Sequence, residues 1–199
     1  IILKWAQSSD GKISKKKKKR VFISNEFTNR LVHKWRREEA AILVGTNTAL
    51  LDDPALTARL WPGNNPVRLV MDMDLKLPSS LQLFDGTVKT IVFNQHKQEI
   101  GEMLSFYKID KDQKFIPQFL NALYKLQLQS VIVEGGAKLL QSFIDENAWD
   151  EARAITNEDL IPGDGLSAPC LNNSNLFEEQ KIKNDSISFY RNAAINKMY

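Results

Sequence analysis

The chain has 199 residues, 43% of them hydrophobic, and carries a net charge of +3. That length can bury roughly 70% of the unfolded surface, which predicts one sizeable domain over residues 1–199 and a soluble, cytoplasmic protein. No apolar stretch reaches the roughly 20 residues of a membrane span, and the small positive charge does not by itself imply a nucleic-acid partner. Cys170 has no second cysteine to pair with, and His33 and His96 lack zinc-ligand spacing, so no metal site is expected.

Residues 1–7 read as a strand that begins at the first position. With no initiator methionine, this predicts the C-terminal part of a longer protein whose upstream domain is absent. A polar loop over residues 8–20 follows and carries the basic run from Lys15 to Arg20. Ser24 or Asn25 can cap a helix, Glu26 suits its positive end, and Leu31, Val32 and Trp35 form an apolar stripe to about Glu39. Residues 41–44 are a second strand, and residues 45–48 turn into a short helix. Asp52-Asp53-Pro54 stops that helix because a residue before proline avoids the α region.

Residues 67–71 and 90–93 read as further strands, and residues 116–126 as a helix through Phe119, Leu120, Leu123 and Leu126. The run Val131-Ile-Val133 then stops at Glu134-Gly-Gly136, after which Leu139, Leu140, Phe143 and Ile144 recur at helical spacing. Residues 151–156 and 186–190 look like late strands added antiparallel. Strands alternating with helices predict a three-layer α/β/α domain around a mixed, mostly parallel sheet.

Ligands of open α/β sheets bind beyond the carboxyl ends of the strands. Four segments reach that edge: residues 4–11, 45–53, 72–74 and 134–136. Neither G-x-G-x-x-G nor G-x-x-x-x-G-K-[ST] occurs, so a bound dinucleotide would be held in another way. Taken alone, Gly135-Gly136 is better explained as a tight turn than as a ligand cradle.

Five segments in order carry a resemblance: Leu3-Lys-Trp-Ala-Gln-Ser-Ser-Asp-Gly-Lys12, a helix ending at Trp35-Arg36, Ala41-Ile-Leu-Val-Gly-Thr-Asn-Thr48, Leu51-Asp-Asp-Pro-Ala-Leu-Thr57 with Arg59, and Val131-Ile-Val-Glu-Gly-Gly-Ala137. Over about residues 1–156 the chain resembles the reductase domain of bifunctional riboflavin-biosynthesis deaminase/reductases. The resemblance implies a dihydrofolate-reductase-like fold and a homodimer. It also implies NADPH-dependent reduction of the ribosyl group of 5-amino-6-(5-phosphoribosylamino)uracil, a phosphorylated small molecule.

By the same resemblance, Ala6, Thr48, Asp52, Gly136, Ala137, Lys138, Leu139, Leu140, Gln141 and Ser142 would contact the cofactor. Arg36, Leu56, Arg59 and Glu134 would contact the substrate. Lys4 would polarise or protonate the reacting sugar, with Asp52 as a second catalytic candidate.

The chain departs from the family at Arg20 and Phe22, where a serine and a tryptophan are usual. It also has Asp72-Met73-Asp74 where a serine often helps the cofactor, and two carboxylates there are expected to repel a 2′-phosphate. Rival functions are reduction of the still-aminated diaminopyrimidine or of a pterin, and a non-enzyme regulatory or nucleic-acid-binding module using Lys15 to Arg20. That basic run reads first as a solvated loop, then as an attractor of phosphate-rich ligands, then as a nucleic-acid patch.

Overall fold

The computed structural model describes residues 1–15, 23–161 and 163–194. In chain order its elements are β1 (Ile2–Ser8), β2 (Lys12–Lys15), α1 (Glu26–Glu38), β3 (Ala41–Gly45), α2 (Thr46–Asp52), β4 (Val67–Met71), a 3-10 turn (Gln82–Phe84), β5 (Thr90–Asn94) and β6 (Leu104–Lys108). They continue with α3 (Phe115–Lys125), β7 (Val131–Val133), α4 (Ala137–Asp145), β8 (Glu151–Asn157), β9 (Gly165–Ser167), β10 (Ser174–Ile182) and β11 (Asp185–Asn192). The chain divides into two compact units, one of Ile1–Val32 with Val133–Tyr199 and one of His33–Ile132. Arg20, Phe22 and most of the basic run lie outside the described residues.

In the first unit, β1 buries Leu3 and Trp5 on one face and leaves Lys4 and Ala6 half-buried on the other, the alternation a strand imposes. β1 runs parallel to β8, with Trp5 opposite Ala154. That corrects the expectation of an antiparallel β8. The strand follows α4, and a helical crossover returns the chain in its former direction. β11 and β10 are the antiparallel additions: Ile187 faces Ile155, and β10 pairs along β11.

The polar loop expected over residues 8–20 is also corrected, because Lys12–Lys15 forms β2 and pairs antiparallel with β9. Asn25 caps α1, its Oδ1 accepting the N–H groups of Phe27 and Thr28 at 3.0 Å each. The same residue donates Nδ2 to the Ile182 carbonyl at 2.8 Å and its N–H to Asp185 Oδ2 at 2.8 Å. One side chain thus joins a helix start to the β10–β11 hairpin.

In the second unit, β3, β4, β5 and β6 are parallel, with Leu43 opposite Leu69 and Val70 opposite Val92. Ala41 to Val44 and all of β5 are buried, which is why residues 41–44 and 91–93 read as unbroken apolar runs. α3 buries Ile116, Phe119, Ala122 and Leu123, and Phe119 meets Phe93 edge-on at 5.1 Å between ring centres. Arg68 is fully buried on β4, donating Nη1 to the carbonyls of Gln82 and Leu83 and to Asp85 Oδ1 at 3.2, 3.5 and 2.8 Å. Across both units the fold is α/β and the pairing is mixed: the second unit's strands pair in parallel, and the first unit adds antiparallel pairs to the parallel β1–β8 pair.

Candidate active site

In the first unit, Lys4 leaves β1 on its half-buried face, and Glu134 follows directly on the buried strand β7. Lys4 Nζ lies 3.5 Å from Glu134 Oε2, with the side chains only 13% and 5% exposed. A charge in so little water needs a partner, and each supplies one to the other. Gly135 and Gly136 follow with φ of 136° and 78°, angles that side-chain-bearing residues avoid. The helix α4 then begins with no capping side chain, and its first backbone bond runs from the Leu140 N–H to the Gly136 carbonyl at 3.0 Å. Its opening N–H groups suit an anion.

The residues expected to touch the cofactor, 136–142, differ in their surroundings. Leu139 and Leu140 are buried at 7% and 0% exposure and belong to the core. Ser142 donates its hydroxyl to the Leu139 carbonyl at 2.7 Å. Gln141 grips Cys170, accepting its N–H at 2.9 Å and donating to its carbonyl at 3.3 Å. Gly136, Ala137, Gln141 and Ser142 are half-buried, and Lys138 is exposed. Leu139, Leu140, Phe143 and Ile144 are buried together because one face of an amphipathic helix points inward along its whole length.

Ser8, not singled out in the sequence, shapes the loop after β1. It is fully buried, donates to the Asp10 carboxylate and the Lys12 carbonyl, and accepts the Lys12 N–H at 3.0 Å.

In the second unit, α2 carries Thr48 half-buried and ends at Asp52. Thr46 Oγ1 donates to the Met71 carbonyl at 2.5 Å, which ties the helix start to the end of β4. Leu56 is 2% exposed and has φ of 48°, a conformation unusual for a bulky residue. Arg36 Nη1 donates to the Thr57 carbonyl at 3.2 Å, while Arg59 Nη1 reaches the Thr57 hydroxyl at 3.4 Å. The two arginines expected at a phosphate therefore meet on one residue. His33, buried on α1, accepts the Leu60 N–H at 3.5 Å, and Lys34 lies 5.7 Å from the Trp61 ring centre. The last turns of α1 thus hold the 57–61 segment. Nothing in the sequence marked Thr57 as the common point.

Of the two carboxylates expected to repel a 2′-phosphate, Asp72 is turned onto its own chain. It is 3% exposed, and its two oxygens accept the N–H groups of Lys76 and Leu77 at 2.9 and 2.8 Å. Asp74 is exposed beside Lys76, whose hydrogen bond and charge hold its carboxyl below the ordinary range. Among the described residues, no group of His, Cys, Asp and Glu is arranged to hold a metal ion, and no helix is long and apolar enough to cross a membrane.

The class is thus an α/β domain, with a lysine–carboxylate pair before a glycine turn in its first unit and, in its second, an arginine of α1 and Arg59 that both bond to Thr57. The chain belongs to the RibD C-terminal domain family, whose model matches residues 1–164. It is 31% identical over 196 residues to riboflavin biosynthesis protein RibD of Aquifex aeolicus, a match covering 94% of this chain and 54% of that protein. It is 29% identical to 2,5-diamino-6-ribosylamino-4(3H)-pyrimidinone 5′-phosphate reductase of Archaeoglobus fulgidus, covering 85% of each.

Among solved structures, the diaminohydroxyphosphoribosylaminopyrimidine deaminase/5-amino-6-(5-phosphoribosylamino)uracil reductase of Thermotoga maritima superposes with a TM-score of 0.84 at 26% identity, over 96% of this chain and 56% of that one. Dihydrofolate reductase of Enterococcus faecalis shares the fold, with a TM-score of 0.60 at 12% identity, over 96% of this chain and 94% of that one. The chain spans about half the length of the RibD proteins it matches.

Proposed function

We propose that the chain reduces the ribosyl group of 5-amino-6-(5-phosphoribosylamino)uracil to the ribityl chain, using NADPH. The observation that carries this reading is the Lys4–Glu134 pair immediately before Gly135-Gly136 and the uncapped start of α4. NADPH, when bound, supplies the hydride that the C1′ carbon of the ring-opened imine accepts. Lys4 gives a proton to the imine nitrogen, and Glu134 keeps the ammonium oriented and accepts from sugar or pyrimidine donors. Asp52 is the second candidate for the proton. Arg36 and Arg59 take the 5′-phosphate, where a planar guanidinium donates two hydrogen bonds at once. Leu56, 2% exposed, is included as a substrate contact on family resemblance alone.

Gly136, Ala137 and Lys138 take the pyrophosphate on backbone N–H groups, with Ala6 and Thr48 as further cofactor contacts. Preference for NADPH over NADH is compatible with Asp72, whose carboxylate is spent on its own turn. A homodimer and a cytoplasmic setting complete the proposal on family resemblance, and sedimentation checks the first.

Purified chain mixed with the deaminated substrate and NADPH should lose the absorbance of the reduced cofactor. No turnover with either nicotinamide cofactor overturns the proposal. A second reading, reduction of the still-aminated diaminopyrimidine, is favoured by the match to the Archaeoglobus reductase along 85% of both chains. Side-by-side rates on the two pyrimidines separate them.

A further inference from the structure

The segment between Asp52 and Arg59 is stapled at both ends by side chains with no part in the chemistry proposed above. Asp53 has φ of 37° and ψ of 57°, and Leu56 has φ of 48°, so two residues with side chains take left-handed conformations around Pro54. Such conformations persist only where the surroundings over-determine them, and they cluster at functional sites.

At the first end, Asp53 Oδ1 accepts the Gln82 N–H at 2.7 Å, and the Asp53 carbonyl accepts Gln82 Nε2 at 2.6 Å. Gln82 is itself anchored, since its carbonyl accepts from the fully buried Arg68 at 3.2 Å. At the second end, Asn65 Oδ1 accepts the Ala58 N–H at 2.8 Å. Ala58 is buried between Thr57 and Arg59, the residues on which the arginine pair depends.

Taking the reductase function proposed above as given, we propose that Gln82 and Asn65 are positioning residues. Gln82 sets Asp52 by fixing its neighbour Asp53. Asn65 sets Leu56 and Arg59 by fixing Ala58. Both act through backbone geometry, and a misplacement of about 1 Å can cost a hundredfold in rate.

The test uses the full chain with Gln82→Leu, Asn65→Ala and Asn65→Asp. Asn65→Ala should raise KM for the pyrimidine about tenfold while the NADPH KM holds, because binding contacts are displaced and hydride delivery is not. Asn65→Asp keeps the accepting oxygen and should restore the wild-type KM. Gln82→Leu should lower kcat about tenfold, through the displaced Asp52.

Staples that merely stabilise the surface would lower Tm and leave kcat and both KM values unmoved; that result overturns the proposal. If the wild-type chain turns over neither pyrimidine, the reductase reading has failed and amide hydrogen exchange decides the staples. Faster exchange over residues 53–58 in Asn65→Ala then supports them, and unchanged exchange rejects them.

Discussion

Lys4 and Glu134, 130 positions apart in sequence, come within 3.5 Å of one another with little of either side chain in water. Each therefore gives the other a partner where little water reaches. Lys4→Met should lower kcat by about a hundredfold or more, the usual contribution of a positioned proton donor. Glu134→Gln should chiefly raise the pyrimidine KM. The two losses should be less than additive in the double variant, because the residues are coupled. Steady-state kinetics on the four proteins checks this; strictly additive effects contradict the pairing.

Gly136 sits at φ of 78°, at the mouth of α4. A valine there should cost about 1–2 kcal/mol of stability from its left-handed backbone alone. It should also weaken NADPH binding about tenfold or more while leaving pyrimidine binding near wild type, an effect seen by titrating tryptophan fluorescence. Equal loss for both ligands counts against a cofactor role for the turn.

Arg36 and Arg59 meet at Thr57 through different atoms, the carbonyl and the hydroxyl. Each charge-assisted contact to a substrate phosphate is worth about 1.5–3 kcal/mol. Arg59→Ala should raise the pyrimidine KM by roughly 10- to 100-fold, and Arg36→Lys should also impair binding because an ammonium lacks the planar fork. A substrate lacking the 5′-phosphate should be insensitive to both changes. Sensitivity equal to that of the phosphorylated substrate would move the phosphate elsewhere.

Arg68 beside Asp85 holds that carboxyl down to about 2 from 3.8, with the Thr87 N–H and hydroxyl adding to the effect. A depressed acid contributes stability that is complete above its unfolded value and is lost as the pH falls through its folded one. The Asp85 side chain is 35% exposed, so solvent screening leaves about 1 kcal/mol of the nominal contribution. Urea unfolding should show Asp85→Asn less stable than wild type at neutral pH. The gap should narrow as the pH drops from about 4 to about 2. A gap that stays constant across that range excludes the linkage.

Much of the framework was readable because burial on both faces writes itself into composition. Residues 67–71 form a strand with those bounds, and α1 stops one residue before the expected end. Most elements missed have partners far along the chain or wet surroundings; β6, paired with nearby β5, was missed because its exposed and buried positions follow no alternation. β10 is exposed along nearly its whole length, and its sequence Ser-Asn-Leu-Phe-Glu-Glu-Gln-Lys-Ile has no alternation to detect. β9 has three residues and pairs with β2 about 150 positions earlier. At the site, the residue types were legible and the couplings were not. No pattern in the sequence says that Thr57 joins two arginines, or that Gln141 is already engaged by Cys170.

Asp72 shows what formal charge conceals. Its carboxylate closes a tight turn by accepting two main-chain N–H groups, so the negative charge is folded into the backbone rather than offered to solvent. The sign of the residue at this position therefore does not by itself say what a bound cofactor would meet there. The informative comparison is whether a given side chain is long enough to close the same turn: asparagine keeps one accepting oxygen there, whereas alanine leaves both amides exposed to whatever ligand arrives.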